Sequence, residues 1–151
     1  MFSSLLLKNK RSQNSQVVIP LWVNIMQIVL CLIMLTQVYM YFFDHEMMAD
    51  SGISVEGNPM LNLVFEMGAR TLVMALVSIY VLITQNPQQF LLILLMNIIR
   101  EGQETIIDPL FPVLNAPASP MADFWIHAFI VALEIWALIT VLKKIRQGKE
   151  S

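Results

Sequence analysis

Ionisable side chains interrupt the apolar stretches of this 151-residue sequence at spacings that suit ion pairs on helices. Glu66 and Arg70 lie four residues apart, and Arg100 and Glu104 have the same spacing. Side chains at positions i and i+4 are neighbours on one helix face, so each acid can partly neutralise its base. One interpretation is architectural, with two ion pairs that fix the packing of helices. The other is a binding site that uses the same charges.

A second set of ionisable residues has the chemistry to move protons or to bind a ligand. Glu101, Glu104 and Asp108 share a helix face, and so do His127 and Glu134, which lie seven residues apart. Carboxylates and a histidine can act as acids and bases on an apolar substrate, or bind iron, manganese or zinc. The Glu-x-x-His pairs of di-metal sites in helical bundles are absent from the sequence. We therefore predict no metal site and leave the cofactor open.

Four apolar runs must position these residues. Hydrophobic residues make up 57% of the chain and charged residues 13%, a composition typical of a protein that lies mostly in lipid. Each run is long enough to cross a bilayer as a helix, and Pro59, Asn86-Pro87 and Pro109 mark the boundaries between them. We predict an all-α, integral membrane four-helix antiparallel bundle that forms a single domain. Its spans cover about residues 17–43, 60–83, 89–107 and 122–142, with outer loops at 44–59 and 108–121.

Basic residues at the two ends of the chain predict the orientation of this bundle. Three precede the first span and four follow the last, whereas the two long loops contain none. Because Lys and Arg near the ends of spans are retained in the cytoplasm, we predict that the N- and C-termini are both cytoplasmic. The expected location is a bacterial inner membrane, which the chain crosses several times. We attribute the basic ends to orientation and contact with anionic lipid, and expect no nucleic-acid binding.

Counting from the loops at about 1.5 Å per residue places the charged groups at similar depths. Arg70, Arg100 and Glu134 fall near the middle of the membrane, and His127 falls in the outer half. An ionised group at the centre of a bilayer costs on the order of 3 kcal/mol, so each must face protein, water or a partner. We predict one polar pocket that opens outward and contains more acid than base. Its candidate ligand-binding residues are Glu66, Arg70, Arg100, Glu101, Glu104, Asp108, His127 and Glu134.

Residues 60–110 resemble small bacterial four-helix membrane proteins of the DoxX-like group. The resemblance consists of Gly68-Ala69-Arg70 in the second span, a short polar turn, and an arginine with acidic residues late in the third span. It implies a compact antiparallel bundle, and members of that group are often associated with redox partners. The loop at 108–121 and the position of Glu134 have no counterpart in the pattern.

The leading functional hypothesis is a membrane protein whose charged pocket binds a small or lipid-like ligand. The alternatives are a proton- or cation-coupled transporter, a lipid-modifying acid-base enzyme, and a structural subunit of a larger membrane complex. The expected partners are the lipid bilayer, a lipid-like ligand, and either further copies of the chain or a larger complex. A homo-oligomer belongs to the transporter hypothesis, because four short helices enclose little volume.

Overall fold

The computed structural model describes residues 18–50, 52–113, 115 and 119–150 of the chain. All regular structure within these residues is helical, which confirms the predicted all-α class. Four long helices and one short helix follow one another: α1 (Leu21–Phe43), α2 (His45–Asp50), α3 (Gly57–Thr84), α4 (Pro87–Leu110) and α5 (Pro120–Glu150).

Three of the helices are long and apolar enough to cross a membrane. They are Leu21–Phe43, Gly57–Thr84 and the Pro120–Gly148 part of α5. Many of their large apolar side chains are exposed, which is compatible with a multi-pass membrane protein that presents these faces to lipid. Helix α4 is not among the three, because every stretch of it long enough to span contains Arg100, Glu101 and Glu104. The fourth span and the orientation of the termini remain predictions.

A two-residue turn joins α3 to α4, where the sequence predicts a tight turn. Gln85 adopts a left-handed backbone conformation with φ of 51°, and its backbone N–H donates to the carbonyl of Val81, which ends α3. The side-chain oxygen of Asn86 accepts a hydrogen bond from the backbone N–H of Gln88, and Pro87 is the first residue of α4. Asparagine as the cap and proline in the first turn are both favoured at helix starts.

The structure corrects two predicted boundaries. The outer loop at 44–59 contains α2, because the carboxylate of Asp44 accepts a hydrogen bond of 3.1 Å from the backbone N–H of Met47 and starts a helical turn. Helix α4 does not stop before Asp108, as the following proline suggested, but continues to Leu110. A proline in the last turn removes only one helical hydrogen bond, and the bond from Phe111 N–H to the Ile107 carbonyl closes the helix beyond it.

The long helices pack as two pairs, α1 with α3 and α4 with α5. The pairs meet in an apolar core at the end of the molecule that contains the α3–α4 turn, which we call the turn end. Trp22 and Trp136 contact each other there, with ring centroids 5.2 Å apart. We call the opposite end, which contains α2 and the last residues of α4, the loop end. The buried core residues are Ile19, Val23, Val81, Phe90, Ile93, Leu94, Ala137 and Val141.

A buried row of neutral polar side chains also links the two pairs. Asn97 of α4 donates a hydrogen bond of 3.2 Å to the side-chain oxygen of Gln27 on α1. The Gln27 amide in turn donates to the hydroxyl of Ser78 on α3, at 3.0 Å. All three residues are buried, so each hydrogen bond satisfies groups that have no access to water.

Candidate functional site

The ionisable residues of α4 and α5 face one another along the loop-end half of this helix pair. The two helices run antiparallel, so Glu101 lies beside His127, and Asp108, two turns further along α4, lies nearer Asp123 at the start of α5. Glu101, Glu104 and Asp108, about one turn apart on α4, thus face Asp123 and His127 of α5 across a single interface. We call this set the acidic cluster; its members are Arg100, Glu101, Glu104, Asp108, Asp123, His127 and Glu134.

His127 is the centre of the acidic cluster. Its Nδ1 atom lies 2.8 Å from a carboxylate oxygen of Glu101, which is a hydrogen-bond distance, and 3.7 Å from Glu104. Its Nε2 atom lies 3.4 Å from an oxygen of Asp108 and 3.7 Å from an oxygen of Asp123. One imidazole therefore faces four carboxylates, two on each side of the ring.

Arg100 also contacts both glutamates, Glu101 and Glu104. Its guanidinium bonds to the buried carboxylate of Glu101, and its Nε atom lies 3.6 Å from Glu104, the i+4 ion pair that the sequence predicts. Glu101 is consequently fixed between an arginine and a histidine. Five carboxylates share the cluster with one arginine and one histidine, so acid exceeds base among its members.

Glu134 lies two turns after His127 on α5, further from the loop end. Its side chain is fully buried, at 0% exposure. Neither of its carboxylate oxygens has a hydrogen-bond partner within the described part of the chain. Its electrostatic neighbours are Glu101, Arg100 and Glu104, so it belongs to the same cluster. Burying an ionised carboxylate without a partner costs several kcal/mol, which makes this position the least compensated of the cluster.

The structure separates Glu66 and Arg70 from the acidic cluster. They form the predicted ion pair at 3.1 Å, but their side chains are 52% and 76% exposed. Asn62 also donates a hydrogen bond of 3.2 Å to Glu66. This pair belongs to the outer surface of α3, and only Arg70 reaches a cavity that Arg100 and Glu104 also line.

That cavity is a cleft of about 490 Å³ between the α1–α3 pair and α4. Its lining includes the flexible apolar side chains of Met67, Met74 and Met96 together with two arginines, Arg70 and Arg100. We call it the amphipathic cleft. Its remaining lining residues are Gln37, Tyr41, Thr71, Ile99, Gln103 and Glu104.

Sequence reasoning missed Asp123, which lies one turn before His127 on α5. The i, i+4 spacing of these two residues was a visible signal, the same one that identified the ion pairs. The sequence also offered no way to see that two sets of three possible metal ligands share one histidine. Donor atoms within 4.8 Å of one another come from Glu101, Glu104 and His127 in one set, and from Asp108, Asp123 and His127 in the other.

No model of a known protein family matches the chain, and no match was found among curated proteins or among solved structures. The resemblance to the DoxX-like group therefore stays a prediction. Functional inference depends on the geometry of the acidic cluster and of the amphipathic cleft.

Proposed function

We propose that this chain is a four-span membrane protein, with both termini in the cytoplasm, that binds an amphipathic molecule with an anionic head in the cleft beside α4. The single observation that carries the proposal is the juxtaposition of Arg70 and Arg100 with a methionine wall in one cavity. A volume of about 490 Å³ lies within the roughly 300–1,000 Å³ typical of ligand pockets.

The charges along the cleft favour an anionic head group. Arg70 and Arg100 line the cleft with one carboxylate, Glu104, and their other carboxylate partners, Glu66 and Glu101, lie outside its lining. Arginine presents several N–H donors in a plane and suits carboxylate or phosphate groups. Met67 and Met96 supply polarizable, adaptable surface for an acyl or isoprenoid chain.

Helix α4 suits a membrane despite its charges, because they face α5 or the amphipathic cleft. Leu92, Leu95 and Ile99 are exposed on α4 and offer a surface to lipid. The buried Glu101, by contrast, lies between Arg100 of the same helix and His127 of α5. A helix with this distribution can cross a bilayer with its ionisable groups inside the protein.

The orientation is tested by labelling single cysteines with a membrane-impermeant maleimide in a Cys31→Ala background. Four spans place the ends of the chain on the same side, whereas three spans place them on opposite sides. We expect Ser54→Cys to be labelled from outside and both Ser12→Cys and Lys144→Cys only after lysis. Labelling of Lys144→Cys from outside in intact cells would overturn the proposed topology.

Ligand binding is tested with the full chain in lipid nanodiscs. We expect a fluorescent alkyl phosphate to bind more tightly than the alkyl alcohol of the same chain length and fluorophore. Arg70→Gln should weaken phosphate binding by about tenfold or more, since a charged hydrogen bond contributes about 1.5–3 kcal/mol. Arg146→Gln, an exposed arginine outside the cleft, is the matched control and should change nothing. Equal binding of phosphate and alcohol would contradict the proposal.

Native mass spectrometry of the chain in mild detergent is an independent test of ligand binding. We expect a bound amphiphile to be retained, and the same spectrum reports whether the chain forms a homo-oligomer or is bound to other proteins. A monomer without any bound molecule would count against the proposed function.

A proton- or cation-coupled transporter is the second candidate, because ionisable groups continue from Asp108 at the loop end to the buried Glu134. Liposomes that contain the protein and an internal pH dye test this function. A transporter should acidify or alkalinise the interior when an ion gradient is applied, and Glu134→Gln should abolish the flux. A ligand-binding protein should produce no flux in either form.

A further inference from the structure

We propose that the amphipathic cleft selects a zwitterionic amphiphile, in which a phosphate group is followed by a primary ammonium group, as in an ethanolamine phosphate ester. The phosphate contacts Arg70 and Arg100, and Glu104 accepts hydrogen bonds from the ammonium group. This inference rests on the proposed function, because it names the class of ligand that the same cleft binds. Glu104 is the residue that determines the specificity.

The carboxylate of Glu104 has no hydrogen-bond partner within the described residues. Its oxygens lie 3.6 Å from Nε of Arg100 and 3.7 Å from Nδ1 of His127, and both distances exceed that of a normal hydrogen bond. The side chain is 32% exposed and lines the cleft. A carboxylate without hydrogen bonds is costly in a membrane, so a ligand that donates N–H groups to it lowers a cost that a purely anionic ligand raises.

The two arginines keep donors that a phosphate group can use. Arg100 bonds to Glu101, and Arg70 bonds to Glu66 at 3.1 Å, each through one guanidinium nitrogen. A guanidinium group has five N–H donors, and both side chains retain exposed surface and line the cleft. Because a carboxylate outside the lining already compensates each arginine, a head group without net charge preserves the balance of charge in the cleft better than a bare phosphate does.

The lining groups follow one another along the cleft in the order in which such a ligand carries their partners. On α4, Glu104, Arg100 and Met96 are spaced by four residues, so they share a helix face with the acid nearest the loop end. On α3, Met74 lies one turn beyond Arg70 toward the turn end. The order of acid, arginines and methionines matches that of an ammonium group, a phosphate and a hydrocarbon chain.

The spacing of the charged groups suits the two-carbon link of an ethanolamine ester. Arg100 and Glu104 are four residues apart, about 6 Å along the helix axis. One oxygen and two carbons separate the phosphorus of the ester from its amine nitrogen, a span of similar length. Met67 lines the cleft on the loop-end side of Arg70 and offers apolar surface to these carbons. With the loop end outside, as proposed, the ligand has the orientation of a lipid in the outer leaflet.

The lining favours a primary ammonium over a trimethylammonium group. A primary ammonium has three N–H donors for the Glu104 carboxylate, whereas a trimethylammonium group has none. Quaternary ammonium groups are typically bound in cages of several aromatic rings. Within the described part of the chain, Tyr41 is the one aromatic residue that lines the cleft.

The experiment uses the full chain in phosphatidylcholine nanodiscs at pH 7, with fluorescent amphiphiles that share one chain and differ in the head group. Empty nanodiscs correct for partitioning into lipid. We expect the phosphoethanolamine ester to bind about tenfold more tightly than the plain alkyl phosphate, and about fivefold or more above the phosphocholine ester, because the ammonium adds charged hydrogen bonds. Phosphoethanolamine without a chain should not displace it. These comparisons need no substitution, so they hold where a variant fails to fold.

Substitutions then assign the role of Glu104. Glu104→Gln should lower the preference for the phosphoethanolamine ester over the plain phosphate by about tenfold, without weakening the binding of the plain phosphate. Glu66→Gln is the matched control, because it also removes the carboxylate of an i, i+4 pair with an arginine of the cleft but lies outside the lining. The preference should persist in that variant. A preference that survives Glu104→Gln would overturn the role of this residue.

Failure of this inference is distinguishable from failure of the proposed function. If the plain phosphate binds more tightly than the alcohol but as tightly as the phosphoethanolamine ester, the proposed function stands and the zwitterionic class is wrong. If neither phosphate compound binds more tightly than the alcohol, the proposed function itself fails. Equal binding of the phosphocholine ester would overturn the choice of a primary ammonium, and displacement by chain-free phosphoethanolamine would overturn the choice of an amphiphile.

Discussion

The two helix pairs of this protein are held together by different chemistry. Helices α1 and α3 approach closely at Gly68, where an added Cβ atom would lie 2.8 Å from the ring of Phe42 and 2.9 Å from the Cβ of Tyr41. Helices α4 and α5 instead meet through carboxylates around His127 at their loop-end half. Lipid provides little hydrophobic drive for helices to associate, so close packing and polar contacts must do it. The first pair packs closely at a glycine, whereas the second adds a cluster of charged groups to its share of the apolar core.

The largest difference should follow from removing an arginine from each region. Arg100→Gln leaves the buried Glu101 with less compensation, and we expect a loss of about 3–5 kcal/mol in the free energy of unfolding. Arg70→Gln breaks only the exposed pair with Glu66 and should cost less than about 1 kcal/mol. Unfolding in a denaturing detergent, followed by circular dichroism, measures both. Equal losses would mean that the charges of α4 and α5 do not stabilise their interface.

Two glycine substitutions compare the packing of the pairs. Gly68→Ala forces α3 away from Tyr41, whose Cβ atom is fixed to the backbone, and we expect a loss of about 1–3 kcal/mol. Gly102→Ala on α4 meets no atom within 4 Å and should stabilise the helix by about 0.5–1 kcal/mol. Thermal unfolding of the two variants checks the opposite signs. A neutral Gly68→Ala would show that α1 and α3 need no close contact.

The smallest effect is expected in the buried row of neutral hydrogen bonds, at the Gln27–Ser78 bond between α1 and α3. Ser78→Ala removes the acceptor of the buried Gln27 amide and should cost about 1 kcal/mol, the usual size of such bonds between membrane helices. Thr71→Ala removes an exposed hydroxyl that donates to the Met67 carbonyl of its own helix, and it should change stability by less than about 0.5 kcal/mol. The same unfolding assay applies. A similar small change in both variants would mean that this buried hydrogen bond contributes nothing to holding α1 against α3.

Part of the candidate site could be predicted from the sequence, because counting residues along each helix gives the depth of each charged group. Run lengths and boundaries place Glu101, Glu104 and His127 at similar heights, because the rise per residue of a helix is constant. The ion pair of Arg100 with Glu104 was predictable for the same local reason. The short turn at Gln85 and Asn86 also follows from nearby residues alone. These features depend on spacing within one helix or turn.

The exclusion of Glu66 could not be predicted, because it depends on how α3 is rotated. Gly68 contacts α1, and Glu66 and Arg70 lie two residues on either side of it. Two residues correspond to about 200° around a helix, so both side chains lie on a different face of α3 from Gly68. The sequence shows the spacing of all three residues but does not say which of them faces a neighbour.

The sequence by itself determined an all-helical chain rich in apolar runs, with charged groups at matching depths, because these properties follow from helix geometry and composition. The tertiary structure decided that His127 lies between Glu101 on one side and Asp108 with Asp123 on the other. It also placed Arg100 and Glu104 of the acidic cluster in the lining of the amphipathic cleft. Both outcomes depend on which helices pair and how each is rotated. That choice is made by contacts between residues far apart in the chain, which no local spacing records.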